Sequence, residues 1–165
     1  MKSKKVTLGI LIFYIMALVW IILFKFQFSF GQLDCLRSIN LIPFAGSVIV
    51  NGKVDFSEII QNGLAFVPFG ILISSLWKEK TVIMRIAPIF GVSLIFEILQ
   101  FVFAVGASDI TDLIMNTLGG IIGIGIYFLF SKVFKSKCDK IINIISLCCA
   151  VFLFLFLAFD IVFNM

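Results

Sequence analysis

The chain has 165 residues, of which 62% are hydrophobic and 13% are charged, and its formal net charge is +4. Soluble domains average about 45–50% apolar and 25% charged residues, so this composition excludes an ordinary soluble domain and predicts one polytopic membrane domain over residues 1–165. The basic residues stand in short clusters between apolar segments, which is typical of membrane topology and excludes a nucleic-acid-binding protein.

The first predicted element is a transmembrane helix over residues 7–24. The N-terminal MKSKK and the apolar run that follows have the basic and apolar regions of a signal peptide. The run is too long for one, however, and no A-x-A-like cleavage site follows it. We therefore expect an uncleaved first span with a cytoplasmic N-terminus.

A long outer loop is predicted between helices 1 and 2. It contains charged residues, Pro43 and several glycines, but also the apolar stretch INLIPFAGSVIV. Such a stretch favours a partly re-entrant or amphipathic segment at the bundle mouth. Asn40 either caps a turn before Pro43 or contributes its amide to a polar cluster.

The second and third helices are predicted over residues 62–77 and 86–104. Pro68 lacks a backbone donor, so we expect a kink in helix 2, where Asn62 is either an N-cap or a ligand. Helix 3 carries Glu97 and Gln100 in apolar surroundings. A carboxyl at such depth is costly, which favours a functional role for Glu97.

The fourth helix is predicted over residues 112–134, behind a short loop that contains Asp109. Asp109, Asp112 and Asn116 have i, i+3 and i+7 spacing, which places them on one helical face. Gly119 and Gly123 continue this face as a small-xxx-small pair, and we expect them to pack against helix 3. Alternatively, the two aspartates only complement the helix dipole and cap its free amides, and Asn116 and Gln100 only join helices.

A fifth helix over residues 141–163 completes the predicted fold. This is an all-α membrane protein, a bundle of about five transmembrane helices with its N-terminus in the cytoplasm and its C-terminus outside. We expect one outward-facing cluster to bind a ligand, and a second set to pack helices. The cluster comprises Asn40, Asn62, Glu97, Gln100, Asp109, Asp112 and Asn116; the packing residues are Pro68, Gly119 and Gly123.

Four motifs in order, NLIPF, NGLAFVPFG, FEILQ and SDITDLIMNTLGG, resemble the VanZ-like family over residues 40–125. The resemblance implies a small multi-pass protein of the bacterial cell membrane that is associated with resistance to glycopeptide antibiotics, teicoplanin above all. The lipid bilayer and a glycopeptide or cell-wall precursor are the partners it implies.

Two other functions remain open. A membrane-embedded enzyme could act on a lipid-linked or cell-wall substrate with Glu97 as acid or base, and only then would Mg²⁺ or Ca²⁺ be a cofactor. The sequence has no histidine, which excludes Ser-His-Asp and Cys-His catalysis, and no pair of its four cysteines has zinc spacing. A proton-coupled transporter is the third possibility. The oligomeric state stays open.

Overall fold

A computed structural model describes residues 2–23, 36–44, 49–50, 53–54 and 56–164. These ranges are mostly helical, with four short strands. The helices are α1 (Lys2–Leu23), α2 (Ser57–Leu76), α3 (Val82–Phe103), α4 (Ile110–Phe134) and α5 (Cys138–Asn164), and the strands are β1 (Leu36–Asn40), β2 (Ile49–Val50), β3 (Lys53–Val54) and β4 (Val105–Asp109).

Each predicted helix is present, but all five begin earlier than predicted. The largest differences are in α1 and α2, which begin at Lys2 and Ser57. Hydropathy marks only the apolar part of a span, whereas the helix continues into the polar turn before it. The first turn of α3, for example, is capped by Thr81, whose hydroxyl accepts a hydrogen bond from the Met84 amide.

Within the described ranges, four helical stretches are long and apolar enough to cross a membrane: Lys4–Leu23, Ser57–Leu76, Val82–Phe103 and Ile110–Phe152. The last is 43 residues long and runs through α4 and into α5. A short 3₁₀ turn, Lys135–Lys137, separates these two helices. Ile126 of α4 and Ile145 of α5 line one cavity, so α5 folds back along α4. Five separate spans remain a prediction.

Helices α2 and α4 pack backbone to backbone along a glycine seam. A methyl group added at Gly119 would overlap the carbonyl oxygen of Gly63, and one added at Gly123 would overlap that of Val67. One added at Gly70 would overlap the Gly120 carbonyl oxygen. Only glycine therefore permits this approach of two helices.

The prediction that Gly119 and Gly123 pack against helix 3 is therefore wrong, because their neighbour is α2. The short connection between α3 and α4 makes these helices neighbours, but its length does not determine which face of α4 contacts α3. Helix α2 carries Gly63 and Gly70 at matching heights, and α3 contacts α4 one position away, where Ile89 lies over Gly120.

Pro68 lies inside α2, and the chain is helical on both sides of it. Its ring lines an apolar cavity of about 220 Å³ between α1, α2 and α5, together with Ile10, Tyr14 and Ile145. Pro68 is thus a packing residue of this cavity. The predicted kink stays a prediction.

One end of the bundle, which we call the sheet end, is where α1 and α3 end and α2 and α4 begin. There β1 and β4 form a parallel pair in which Leu36 faces Val105 and Asn40 faces Asp109. The segment between α3 and α4, predicted as a loop, is therefore a strand, and an all-α description omits it. The predicted re-entrant segment, residues 39–50, lies partly outside the described residues; its described part includes the end of β1 and all of β2.

The opposite end, which we call the basic end, carries the turns rich in lysine and arginine. Arg85 is only 4% exposed, and its guanidinium lies 4.9 Å from the centre of the Phe128 ring. Its Nε donates to the carbonyl oxygens of Trp77 and Lys80, both at 3.1 Å, and Nη2 donates to that of Lys78 at 2.7 Å. Arg85 thereby closes the turn between α2 and α3.

Two further groups of polar contacts lie at the basic end, one around Asp139 and one between Thr7 and Asn143. Asp139 of α5 forms an ion pair with Lys78 and accepts hydrogen bonds from Ser75 at 3.0 Å and Tyr127 at 3.3 Å. The Thr7 hydroxyl of α1 donates to Asn143 of α5 at 2.8 Å. Since apolar burial drives little association in lipid, such bonds help to specify which helices meet.

Candidate functional site

Asp109 connects β4 to α4 at the sheet end. Its backbone is extended, with φ −126° and ψ 126°, and its Oδ1 accepts a hydrogen bond from the Thr111 amide at 2.7 Å. This is N-cap geometry, so the interpretation of Asp109 as a capping residue is confirmed. The predicted helical face shared by Asp109, Asp112 and Asn116 is corrected, because Asp109 precedes the helix.

Glu97 lies directly beneath this cap. It is 4% exposed, and its Oε2 accepts a hydrogen bond from the Asp109 amide at 2.8 Å. The side chains of Ser108 and Asp112 are near enough to interact with the carboxyl group. Its Oε1 has no hydrogen-bond partner in the part of the chain that the structure describes. Glu97 thus supports the start of α4 and keeps one acceptor unused there.

Asn40 performs both roles considered for it. Its Oδ1 accepts from the Ile42 amide at 3.1 Å, which forms the turn before Pro43, and its Nδ2 donates to Asp109 Oδ2 at 3.0 Å. The Thr111 hydroxyl accepts from the Phe44 amide at 2.9 Å. We call Asn40, Glu97, Asp109 and Thr111 the Glu97 cluster. It ties residues 40–44 to the junction of α3 and α4.

We expect replacement of Asp109 by alanine to loosen this junction. The change removes the cap of α4 and the partner of Asn40, and loss of an N-cap costs about 0.5–2 kcal/mol. Asp109→Asn should cost less, because asparagine is also a good N-cap. Hydrogen exchange at the first amides of α4 measures the effect. Equal protection in Asp109→Ala and the wild type would contradict this role.

Asn116 belongs to a different, deeper contact. It is fully buried, and its Nδ2 donates to the Ser93 hydroxyl of α3 at 3.0 Å. Its Oδ1 has no hydrogen-bond partner among the described residues. This geometry supports the interpretation that Asn116 joins helices.

Gln100 and Asn62 line a cavity of about 590 Å³ between α1, α2 and α3, which we call the sheet-end cavity. Gln100 is 4% exposed and donates from Nε2 to the Ile22 carbonyl oxygen at 3.4 Å. Asn62 is not an N-cap, because α2 begins five residues earlier, at Ser57. The other polar residues that line the cavity are Ser57, Glu58 and Gln61.

The predicted single cluster is therefore divided into three parts. The first part is Asn40, Glu97 and Asp109, which share hydrogen bonds, with Asp112 beside them. The second is Gln100 and Asn62, which line the sheet-end cavity. The third is Asn116, which donates a hydrogen bond to Ser93 of α3. Sequence reasoning missed Thr111 and Gln61. For Thr111 the signal was available, since a hydroxyl two residues after a capping aspartate lies at the same helix start.

Metal-ligating side chains do not gather in the part of the chain that the structure describes. No three His, Cys, Asp or Glu side chains come together there in a group that could hold an ion. The chemistry that this end offers is hydrogen-bond acceptance by carboxylate and carboxamide oxygens.

Comparison with known proteins bears directly on the four motifs. Residues 11–131 match the VanZ/LLP1 family. The chain belongs to the VanZ/LLP1 family. It is 37% identical over 161 residues to Protein VanZ from Enterococcus faecium, an alignment that covers 93% of this chain and 94% of that relative. No solved structure matches the chain.

The resemblance based on the motifs is thus confirmed, and family membership with the long apolar helices makes the chain a VanZ-like bacterial membrane protein. The matched VanZ region includes both the Glu97 cluster and the sheet-end cavity, and ends before α5. Its motifs map onto the contacts described above. NGLAFVPFG carries Gly63 and Gly70 of the seam, and FEILQ carries Glu97 and Gln100.

Proposed function

We propose that this VanZ-like protein acts in the bacterial envelope and contributes to resistance against glycopeptide antibiotics of the teicoplanin type. The observation that carries the proposal is the grouping of buried acceptor groups at one end of the bundle. Glu97 Oε1 and Gln100 Oε1 are both buried there, and both lack a hydrogen-bond partner among the described residues. The resemblance to VanZ supports the resistance role.

The sheet end faces outward in this proposal. Lysines and arginines concentrate at the opposite end, in the turns after α2 and α4, and such residues favour the cytoplasmic side. With α1 starting at the basic end, the N-terminus is cytoplasmic, and five alternating spans leave the C-terminus outside. The basic residues are Lys78, Lys80, Arg85, Lys132, Lys135, Lys137 and Lys140.

The two parts of the sheet end have different tasks. The Glu97 cluster positions residues 40–44 over the junction of α3 and α4, because its hydrogen bonds link β1, β4 and both helices. The sheet-end cavity supplies the ligand contacts through Gln100 and its neighbours on α2. A ligand of cell-wall or glycopeptide character, rich in N–H and O–H donors, matches these acceptors.

The test is teicoplanin susceptibility of a sensitive Gram-positive host that expresses the wild type, Glu97→Gln or Asp112→Asn at matched membrane levels. In Glu97→Gln the carboxamide keeps an oxygen for the Asp109 amide, but an NH2 donor replaces the second oxygen, so the change removes the unused acceptor and keeps the bond to Asp109. We expect the wild type to raise the inhibitory concentration and both variants to reduce it to that of the host without the protein.

Glu79→Gln is the matched control, since Glu79 is an exposed acid in the turn at the basic end. It should protect as the wild type does. Equal protection by Glu97→Gln and the wild type would show that the unused acceptor oxygen of Glu97 has no part in resistance. No protection by the wild type would contradict the resistance role.

A further inference from the structure

The sheet-end cavity is lined by both polar and apolar residues. Ser57, Gln61, Asn62 and Gln100 present hydroxyl and carboxamide groups to it, and Glu58 adds a carboxylate. Ile21, Ile22, Leu64 and Ala65 form the apolar walls, and Leu64 is well exposed on the surface of α2. A ligand that fits such a cavity has a polar headgroup and an apolar chain.

Gln100 indicates the polarity of that headgroup. Its Nε2 is already used by the Ile22 carbonyl oxygen, so Oε1 is the one atom of this amide left to bind a further group. This buried oxygen accepts no hydrogen bond from the described residues. A buried acceptor without a donor costs about 1–3 kcal/mol, so a ligand that supplies an N–H or O–H donor is favoured there.

The charge of the lining residues further limits the class of headgroup that the cavity can bind. Glu58 is the one acidic side chain among the described lining residues, and none of those residues is a lysine or an arginine. A cation is therefore favoured over a phosphate or a carboxylate. Of the cationic headgroups, a primary ammonium has three N–H donors, whereas a trimethylammonium has none.

We propose that the sheet-end cavity binds the primary ammonium group of a membrane amphiphile, with Gln100 Oε1 accepting its N–H, Glu58 supplying opposite charge and the chain leaving past Leu64. This names the ligand class of the proposed function and rests on it. The amphiphile is either a bilayer lipid such as phosphatidylethanolamine or a separate alkylammonium compound.

Native mass spectrometry of purified protein tests the proposal. In nanodiscs that contain equal amounts of phosphatidylethanolamine and phosphatidylcholine, we expect the ethanolamine lipid to be retained about tenfold more, the effect of one charge-assisted hydrogen bond. In detergent, dodecylamine is compared with dodecyltrimethylammonium. Preference in the nanodisc arm identifies a bilayer lipid, and preference in the detergent arm alone identifies a separate amphiphile. No preference in either arm overturns the proposal.

Two variants at one position separate binding from packing. Gln100→Leu and Gln100→Glu both lose the Nε2 bond to Ile22, but only glutamate keeps an acceptor oxygen. We expect Gln100→Leu to abolish the preference and Gln100→Glu to keep or increase it. Equal loss in both would overturn the proposal.

If Gln100→Leu does not fold, Glu58→Gln gives a second test, since loss of the charge should weaken ammonium retention. Unchanged retention in that variant would overturn the role of Glu58. Binding is measured on purified protein and resistance in cells, so the two can fail separately. Selective retention without protection would contradict the resistance role alone, and protection without retention would contradict this inference alone.

Discussion

Replacement of Gly119 by valine is expected to prevent accumulation of folded protein. A Cβ at this position would overlap the carbonyl oxygen of Gly63, which is backbone in the facing helix α2 and has no rotamer that could move aside. The two helices would have to separate, and overpacking of this kind costs about 1–3 kcal/mol or more. In a small membrane bundle held by close packing, that is a large part of the total stability. Fluorescence-detected size-exclusion chromatography of detergent extracts measures the effect.

Gly125→Val is the matched control for this prediction. Gly125 lies on the same helix, and a Cβ added there meets no atom within 4 Å. The two variants have the same change in volume and in helix propensity, so they differ only in the α2–α4 seam. Equal yields of monodisperse protein from both would show that the close approach of α2 and α4 does not determine stability.

Replacement of Arg85 by leucine is expected to lower the free energy of unfolding by about 3 kcal/mol, from the loss of hydrogen bonds made by a charged donor. The change leaves the carbonyl oxygens of Trp77, Lys78 and Lys80 without this donor and removes the contact with the Phe128 ring. Arg85→Lys should restore little of this, because one ammonium cannot reproduce the planar guanidinium fork. Thermal unfolding in detergent measures the loss.

Lys80→Leu is the control for the loss of a positive charge, since it removes one such charge from the same turn and Lys80 is exposed. It should unfold close to the wild-type temperature. If both variants lost stability equally, the effect would come from the charge of the turn and not from the buried guanidinium.

Sequence reasoning predicted the helices because hydropathy over about 20 residues is a local property. It also identified Asp109 as a capping candidate and Glu97 as an acid in apolar surroundings, since both follow from position along the chain. It missed Arg85 as a buried residue. An arginine in a turn between two spans is typical of an exposed cytoplasmic charge, and only the position of the α2 carbonyl groups shows otherwise.

The sequence by itself thus determined the family, the apolar helices and the identity of the costly polar residues, because each depends on neighbours along the chain. Only the tertiary structure decided that the glycines of α4 meet α2, that Asn40 bonds to Asp109, and that Gln100 belongs to a cavity apart from Glu97. Each of these is a pairing between distant residues. Helical spacing specifies which residues share a face, but the rotation of each helix about its axis depends on its packing against all the other helices.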